Sequence, residues 1–435
     1  MIDFNKNKSL EKTLLSIRYI IKWSLLSIAT GIVVGLLSTL FKSGLNLALG
    51  LLAPLKSGNT IYILPIIGLF LSGVLTSLLA PEAAGHGTNA LIKAYNKRWG
   101  KVKVVLVPVK MVSSIFTIAF GGSAGMEDPA VQMGGSIASF IGDKLNLKLV
   151  DLRKIVICGM GAAFGAIFTA PLAGGIFGAE IIYRDDLEYN SLFICFLSSI
   201  TSYFIFAVML GQTRLFMFPV PENYNFFPAR DIFFFIAVGL IIGLVGLIFV
   251  KILHGYHQIN ELIPLPDYFR TALGGLLTGL TALIASPLVL GTGITLLEKI
   301  SVEELFSLPL LLALLLGKIA ATSFTIGSGA SGGTVVPSLT IGGLTGALIA
   351  GTINYPHPTA LVATGSVGLL GAAANIPITT TLLAVEIFGV EMIIPATIVC
   401  FIASWIARND TLYRESLVSK ATLAKAFHHF EETEK

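Results

Sequence analysis

One long stretch without charge constrains this sequence more than any other feature. Residues 319–385 contain no Asp, Glu, Lys or Arg. Of the 435 residues, 54% are hydrophobic and 12% are charged, against about 25% charged residues in soluble domains. Two more charge-free stretches, 23–41 and 232–250, are each long enough to cross roughly 30 Å of hydrocarbon. The sequence therefore predicts an all-α integral membrane protein that crosses the lipid bilayer several times.

Basic residues gather at the start of the chain and predict its orientation. Those that precede or enter the first apolar run are Lys6, Lys8, Lys12, Arg18 and Lys22. Positive flanks stay in the cytoplasm, so we expect 1–22 to be a cytoplasmic segment of a cell-membrane protein. The first apolar run is too long for a cleavable signal. The three cysteines lie in apolar segments, which is typical of small hydrophobic residues and not of disulfides or metal ligands.

The chain contains an internal duplication. Four residues recur 208 positions later, namely Gly125, Pro129, Gly134 and Gly135 as Gly333, Pro337, Gly342 and Gly343. An ordered series at nearly constant offset covers about 85–181 and 291–387. We expect a first membrane repeat over 23–211 and a second over 212–407. The remaining segment, 408–435, is expected to be a C-terminal helix or tail without a soluble regulatory domain.

The duplicated glycine-rich turns predict broken helices. Gly125 and Gly333 each precede a proline by four residues, and an apolar helix follows. The first amides of a helix have no intrahelical partner, and the helix dipole leaves about +0.5 charge at that end. Duplicated transporters aim such helix ends at an anion near the middle of the membrane. The alternative is that the glycines serve only close helix packing.

At these residues the chain resembles the CLC family of chloride channels and proton-coupled chloride exchangers. Residues 81–88 (PEAAGHGT) resemble the family stretch PEAGGSGIP, 125–135 (GMEDPAVQMGG) resemble GREGPTVQIGG, and 332–337 (GGTVVP) resemble GGIFAP. Residues 169–174 (TAPLAG) and Tyr413 match further family positions. The resemblance implies a homodimer with one pore per subunit, two inverted repeats, and chloride as the default ion.

The resemblance also implies the residues of the site. Glu127 matches the gating glutamate, whose carboxylate occupies an anion site and leaves it when protonated. Its alternative role is to complement the helix dipole. The anion-binding positions are His86, Gly87, Thr88, Met126, Asp128, Val335, Val336 and Tyr413. Tyr413 would offer a hydroxyl from the inner side, or else serve as an interfacial aromatic residue.

Five positions depart from the family pattern. Met126 replaces a cation near the outer entrance, and Asn89 replaces a proline. Asp128 replaces a glycine, and we interpret it as a solvent-facing cap of the helix in preference to a gating residue. His86 replaces a serine and either donates an N–H to the ion or points away. Ile181 replaces the inner proton-accepting glutamate, so protons pass by water or another acid such as the preceding glutamate, or coupling is absent.

Other ionisable residues in apolar segments come in repeat-related pairs, which favours structural roles. Lys110 and Lys318 either make the electrostatic potential in the pore more favourable to anions, or they pair with a carboxylate or with helix carbonyls. We prefer the second interpretation. Glu180 and Glu386 each follow a proline by nine residues, and we expect them to accept hydrogen bonds from backbone or buried polar groups.

The sequence as a whole predicts a CLC-like anion transporter, with anion/proton exchange gated by Glu127, or alternatively a passive anion channel with the same gate. His254 and His257 have metal-like spacing but are interpreted as a linker pair without metal. A membrane-embedded enzyme would need a polar catalytic cluster, yet 319–385 offers only His357. We expect no enzyme activity, no cofactor and no nucleic-acid partner.

Overall fold

The computed structural model describes the backbone of residues 3–56, 58–211, 228–302 and 306–419, and the side chains of 3–15, 228–230 and 302 are not described. Sixteen α-helices lie in these ranges. They are α1 (Asp3–Leu52), α2 (Leu64–Leu79), α3 (Thr88–Lys97), α4 (Leu106–Ala119), α5 (Glu127–Lys144), α6 (Leu149–Phe168), α7 (Pro171–Glu180), α8 (Leu192–Leu210), α9 (Pro228–Glu261), α10 (Asp267–Ile284), α11 (Ile294–Val302), α12 (Leu308–Gly327), α13 (Val335–Ile353), α14 (Pro358–Ala374), α15 (Pro377–Phe388) and α16 (Ile393–Ala407).

Helix length divides these elements into complete and partial membrane spans. Within the described residues, seven helices are long and apolar enough to cross a bilayer, and three shorter apolar helices, α4, α14 and α15, are not. Backbone that ends a helix inside a membrane must be buried in protein or line a cavity. The short helices therefore pack between the long ones. The predicted all-α membrane fold with broken helices is confirmed.

The two halves of the chain repeat the same helix order. Helices α5 and α13 begin 208 positions apart, and α7 and α15 begin 206 apart. Within each half the equivalent pairs pack together, α5 on α6 and α13 on α14, while α2 packs on α10 and α7 on α15 across the repeats. The contacts of one half thus recur in the other, as the duplication predicts.

Glycine allows the closest helix approach in each half. A β carbon on Gly134 of α5 would overlap the carbonyl oxygen of Gly159 on α6. The repeat-related Gly342 meets the carbonyl oxygen of Gly365 on α14 in the same way. Small residues at such crossings let helix backbones approach closely in membranes. Glycines of the duplicated segments therefore serve helix packing, at Gly134 and Gly342, as well as the turns that precede the helices.

Two repeat-related glutamates each cap the N-terminus of the helix that carries the other. Glu180, at the end of α7, accepts hydrogen bonds from the backbone amides of Ile378 (2.9 Å) and Thr379 (2.7 Å) at the start of α15. Glu386 of α15 accepts from the amides of Leu172 (2.9 Å) and Ala173 (2.8 Å) at the start of α7. These amides are the ones a helix cannot satisfy itself. The expected structural role of both glutamates is confirmed.

Several expected segments fall outside the described part of the chain. Side chains of Lys6, Lys8 and Lys12 belong to the undescribed portion of α1, and most of the expected tail, 420–435, is also outside. The expected boundary between the repeats, at 211 and 212, adjoins the undescribed residues 212–227. The repeat bounds remain a proposal.

We expect replacement of Glu180 by alanine to lower the free energy of unfolding by about 2–4 kcal/mol, because the amides of Ile378 and Thr379 and the buried hydroxyl of Thr379 would lose their acceptor. Glu386→Ala should cost less, since this carboxylate is partly exposed. Thermal unfolding of the detergent-solubilised protein measures both. Glu391→Ala, which removes an exposed carboxylate, is the matched control. A Glu180→Ala protein as stable as this control would contradict the capping role.

Candidate functional site

The two predicted glycine turns meet at the centre of the protein. Gly125 and Gly333 form an antiparallel backbone bridge, in which each amide donates to the other's carbonyl oxygen at 2.8 Å. A related pair of contacts joins Gly85 to Gly329, at 3.0 Å, and Gly291 to Gly121, at 3.2 Å. The turns are therefore joined directly, and the antiparallel bridge gives the repeats opposite directions where they touch.

This bridge places two helix N-termini side by side. Helix α5 begins two residues after Gly125, and α13 begins two residues after Gly333. Pro129 and Pro337 occupy the third position of each helix, where the missing N–H costs no intrahelical bond. Val335 and Val336 form the buried first turn of α13. Two positive helix ends converge here, the arrangement that binds an anion through backbone amides.

A lysine holds the turn that precedes α3. Lys110 Nζ donates to the carbonyl oxygens of Ala83 (2.9 Å) and Gly85 (2.6 Å). Gly85 and Gly87 adopt φ values of 65° and 90°, which favour glycine. In the second repeat, Lys318 Nζ donates to the carbonyls of residues 289 and 291 in the same way. The preferred interpretation, that the lysines pair with carbonyls, is confirmed.

Asp128 is completely buried, so its interpretation as a solvent-facing cap is wrong. Its side chain is 0% exposed. Oδ1 accepts hydrogen bonds from Thr88 Oγ1 (2.8 Å) and Tyr413 Oη (2.7 Å). Oδ2 accepts from the amide (2.7 Å) and the hydroxyl (3.0 Å) of Thr334. The carboxylate is turned inward because three parts of the chain, the first residue of α3, the residue before α13 and the segment after α16, supply donors at this point.

Tyr413 is held in place by α3. Its segment is fixed through Glu415, whose amide donates to Asn89 Oδ1 at 2.9 Å and whose carbonyl accepts from Asn96 Nδ2 at 2.8 Å. The Tyr413 ring is fully buried and lies edge-on to His86, with ring centroids 5.5 Å apart. Tyr413 is therefore a core residue of the site and not an interfacial aromatic residue.

Glu127 has a buried carboxylate with no hydrogen-bond partner of its own. Its side chain is 0% exposed, and neither oxygen has a partner among the described residues. The carboxylate lies near the backbone amides of Glu127 itself and Val336, that is, near the starts of α5 and α13. No other side chain donates a hydrogen bond to this carboxylate, so its polar neighbours are the amides at the two helix starts.

One cation near the site was missed in the sequence. Lys42 of α1 is partly buried, and its charge acts on the Glu127 carboxylate. Met126, which stands where the family has a cation, is buried. Lys42 thus supplies a positive charge from a different helix. The signal was present as a lone lysine directly after the apolar run 23–41, but no motif surrounds it.

A cavity of about 740 Å³ leads to the turn before α3. Its wall includes His86 and Gly87, while Glu127, Asp128 and Tyr413 lie beyond it and are fully buried. The charged lining residues are Lys93, Lys97, Arg98, Arg414, Glu82 and Glu415. Basic residues outnumber acidic ones in this lining, which raises the local concentration of anions.

The histidines interpreted as a linker pair lie in this cavity instead. His254 and His257 belong to α9, and both face the same space as His86. His254 Nδ1 accepts a hydrogen bond from Arg414 Nε at 3.1 Å. Helix α9 continues past the apolar run 232–250, and this continuation turns the two histidines toward the cavity. Spacing along the chain could not reveal that His86, which lies far away in sequence, lines the same cavity as these two histidines.

Neither Ile181, which stands where the family has the inner proton-accepting glutamate, nor its neighbour Glu180 is available to accept protons. Ile181 is 2% exposed and cannot titrate. Glu180, one residue earlier, is committed to the start of α15 through its bonds to Ile378 and Thr379. A proton that reaches Glu127 from this side would have to travel by water or by other side chains.

Comparison with known proteins agrees with this geometry. The family model described as "Voltage gated chloride channel" matches residues 68–408. A protein of Methanocaldococcus jannaschii is 30% identical over 91% of this chain and 95% of its own length. A chloride/fluoride channel protein of Pseudomonas syringae pv. tomato is 29% identical over 90% of this chain and 85% of its own. The H⁺/Cl⁻ exchange transporter of Vibrio parahaemolyticus is 29% identical over 78% and 74%.

Solved structures show the same fold. A CLC-type fluoride/proton antiporter superposes with a TM-score of 0.83 at 25% identity, over 92% of this chain and 98% of that chain. A slow cyanobacterial Cl⁻/H⁺ antiporter gives a TM-score of 0.77 at 23% identity, over 93% and 97%. With the broken helices, the joined turns and these matches together, the chain belongs to the voltage-gated chloride channel (CLC) family of membrane anion transporters.

Proposed function

We propose that this protein exchanges a small anion, with chloride as the default ion, for protons across the membrane, and that Glu127 is the gate. The observation that carries the proposal is the Glu127 carboxylate, which is completely buried beside the backbone amides of Glu127 and Val336, at two converging helix N-termini. An anionic side chain in that place competes with a diffusible anion for the same amides. A proton removes the charge and ends the competition.

The proposed anion site uses the turn before α3 and the start of α13. Amides of Gly87, Thr88, Val335 and Val336 would face the ion, because first-turn amides lack intrahelical partners. The remaining proposed contacts come from His86, Met126, Asp128 and Tyr413. In support, His86 lies edge-on to Tyr413, and the Tyr413 hydroxyl donates to Asp128. Neutral dipoles suit transport, because full positive charges would hold an anion too tightly to release it.

The cavity is the proposed cytoplasmic entrance. Lys22 of α1 forms an ion pair with Asp151 at 2.6 Å, at the start of α6. Arg153, two residues on, stacks over Tyr95 of α3 at 4.0 Å, and Lys97 of the same helix lines the cavity. The cavity thus opens on the side from which α1 enters. We propose that the protein is a homodimer in the cell membrane with its N-terminal basic segment in the cytoplasm. The side on which the cavity opens is then the cytoplasmic side.

A passive channel with the same gate is the second candidate. Ile181 and the commitment of Glu180 to helix capping favour it, because both remove the usual inner proton route. The named relatives include both exchange transporters and a channel protein, and both chloride and fluoride. Flux measured with chloride, bromide, nitrate and fluoride, together with proton recording, separates these possibilities.

In reconstituted liposomes, an imposed chloride gradient should drive protons uphill through the wild-type protein. Glu127→Gln should abolish proton movement while anion flux continues, because glutamine is neutral and cannot release a proton. Glu391→Gln, at an exposed position, is the control and should behave as wild type. Uphill proton movement that persists in Glu127→Gln would refute the gate, and wild-type chloride flux without protons would favour the channel.

Cysteine modification tests the proposed entrance. The native cysteines Cys158, Cys195 and Cys400 are buried, so they should not react in the folded protein. Ala90→Cys places a thiol in the cavity wall, and a negatively charged methanethiosulfonate should reduce anion flux by more than half, because it narrows the cavity and repels anions. Ala179→Cys, at a fully buried position, should remain unmodified. Complete labelling of Ala90→Cys with unchanged flux would exclude the cavity as the pathway.

A further inference from the structure

We propose that the Asp128 carboxylate is a second, built-in occupant of the anion site, which the transported anion replaces only when Asp128 takes up a proton. The inference rests on the proposed function and adds a residue to it, since Asp128 stands at a position where the resembling family has glycine. Glu127 would still act as the gate. Asp128 would decide whether the donors behind that gate are available.

The donors around Asp128 satisfy its carboxylate completely. An ionised carboxylate has about four acceptor positions. Thr88 and Tyr413 donate to one oxygen, and the amide and hydroxyl of Thr334 donate to the other, at 2.7–3.0 Å. All four contacts are donations to the side chain. Such a set of converging donors in a fully buried site is what a small anion would itself need.

These donors are the ones that the anion would use. Thr88 and Tyr413 are proposed anion ligands, and Thr334 immediately precedes the first turn of α13. While Asp128 holds both hydroxyls, a diffusible anion cannot accept hydrogen bonds from them. Like charges in one buried site also repel. Anion and ionised Asp128 are therefore alternatives at this point, and the protein admits one of them at a time.

Charged and titratable groups face Asp128 from several elements. Lys110 of α4 and His86 of the turn before α3 interact electrostatically with it, and Glu127 precedes it on α5. Tyr413 contacts it from the segment after α16. Among these, Lys110 supplies a positive charge that suits either a carboxylate or a bound anion. The surroundings therefore tolerate one negative charge, whichever group carries it.

The exchange balances in protons and charge. The carboxylate binds one proton and becomes a neutral acid, which no longer competes for four donors. The anion then accepts from the hydroxyls of Thr88 and Tyr413. When the anion leaves, Asp128 loses its proton and takes the donors back. One proton is thus bound for each anion bound, separately from any proton carried by Glu127.

A purely structural alternative assigns Asp128 to clamping the two repeats together. Both roles use the same hydrogen bonds in the anion-free state. They differ in one measurable property, because a clamp does not link anion binding to proton uptake. Titration of His86 could also produce such a link, so the decisive comparison must keep His86 and change only Asp128.

The test measures chloride binding to detergent-solubilised protein by calorimetry as a function of pH. In Glu127→Gln, where Asp128 is the remaining carboxylate of the pair, chloride affinity should rise about tenfold for each unit of acidification, as one linked proton requires. In the double variant Glu127→Gln/Asp128→Asn, this dependence should disappear, and affinity at neutral pH should be at least tenfold higher. Equal pH dependence and equal affinity in the two proteins would overturn the proposal.

Two further measurements keep the test decisive. In Glu127→Gln/Tyr413→Phe a donor is lost while the proton acceptor remains, so chloride should bind more weakly with the same pH dependence. If the double variant does not fold, chloride binding to Glu127→Gln is measured in buffers of different ionisation enthalpy, and absence of proton uptake would reject the inference. A Glu127→Gln protein that binds chloride with proton uptake, from a wild type that moves no anion in liposomes, would contradict the proposed function and leave this inference standing.

Discussion

The backbone bridge between Gly125 and Gly333 is the contact on which the rest of the site depends. It joins the two repeats by a reciprocal pair of hydrogen bonds at 2.8 Å, and it brings α5 and α13 to the same point with their amide ends together. Inside a membrane, irregular backbone has no water to satisfy it. Each turn therefore satisfies the other. A β carbon on Gly333 would lie 2.9 Å from the carbonyl oxygen of Gly125, and one on Gly125 would overlap the carboxylate of Glu127.

Around this bridge, the scaffold is symmetric while the chemistry is not. Carbonyl-binding lysines and helix-capping glutamates occur in both repeats and make equivalent contacts. At the two helix starts the repeats differ, since Glu127 and Asp128 of the first correspond to Val335 and Val336 of the second. Duplication thus provides the frame twice, and one copy carries the ionisable groups. Val335 and Val336 carry no side-chain acceptor, and the Val336 amide lies near the Glu127 carboxylate of α5.

The large cavity adds a second asymmetry, because it approaches the site from one side. Its wall is rich in basic residues and contains His86, His254 and His257. Tyr413 lies edge-on to His86 of this wall and donates a hydrogen bond to Asp128 at 2.7 Å. The buried polar groups of the proposed site therefore begin directly behind the cavity wall.

Much of this molecule follows from properties that a sequence carries locally. Hydropathy fixes where helices cross the membrane, and recurrence of Gly125, Pro129 and Lys110 at one offset reveals the duplication, because equal spacing demands equal local geometry. The capping role of Glu180 and Glu386 followed from that symmetry. These features depend on near neighbours along the chain, or on a copy of them.

Tertiary structure decided what distant segments do to one another. The place of Asp128 at a helix start predicts a solvent-facing cap, yet its donors come from Thr88, Thr334 and Tyr413, far apart in the chain. Likewise, Lys42 lies near Glu127, and His254 and His257 line the cavity beside His86, although all three are distant from these residues in sequence. No local pattern encodes such meetings, because hydrogen bonds and charges act through space, and only the packing of whole helices determines which side chains share that space.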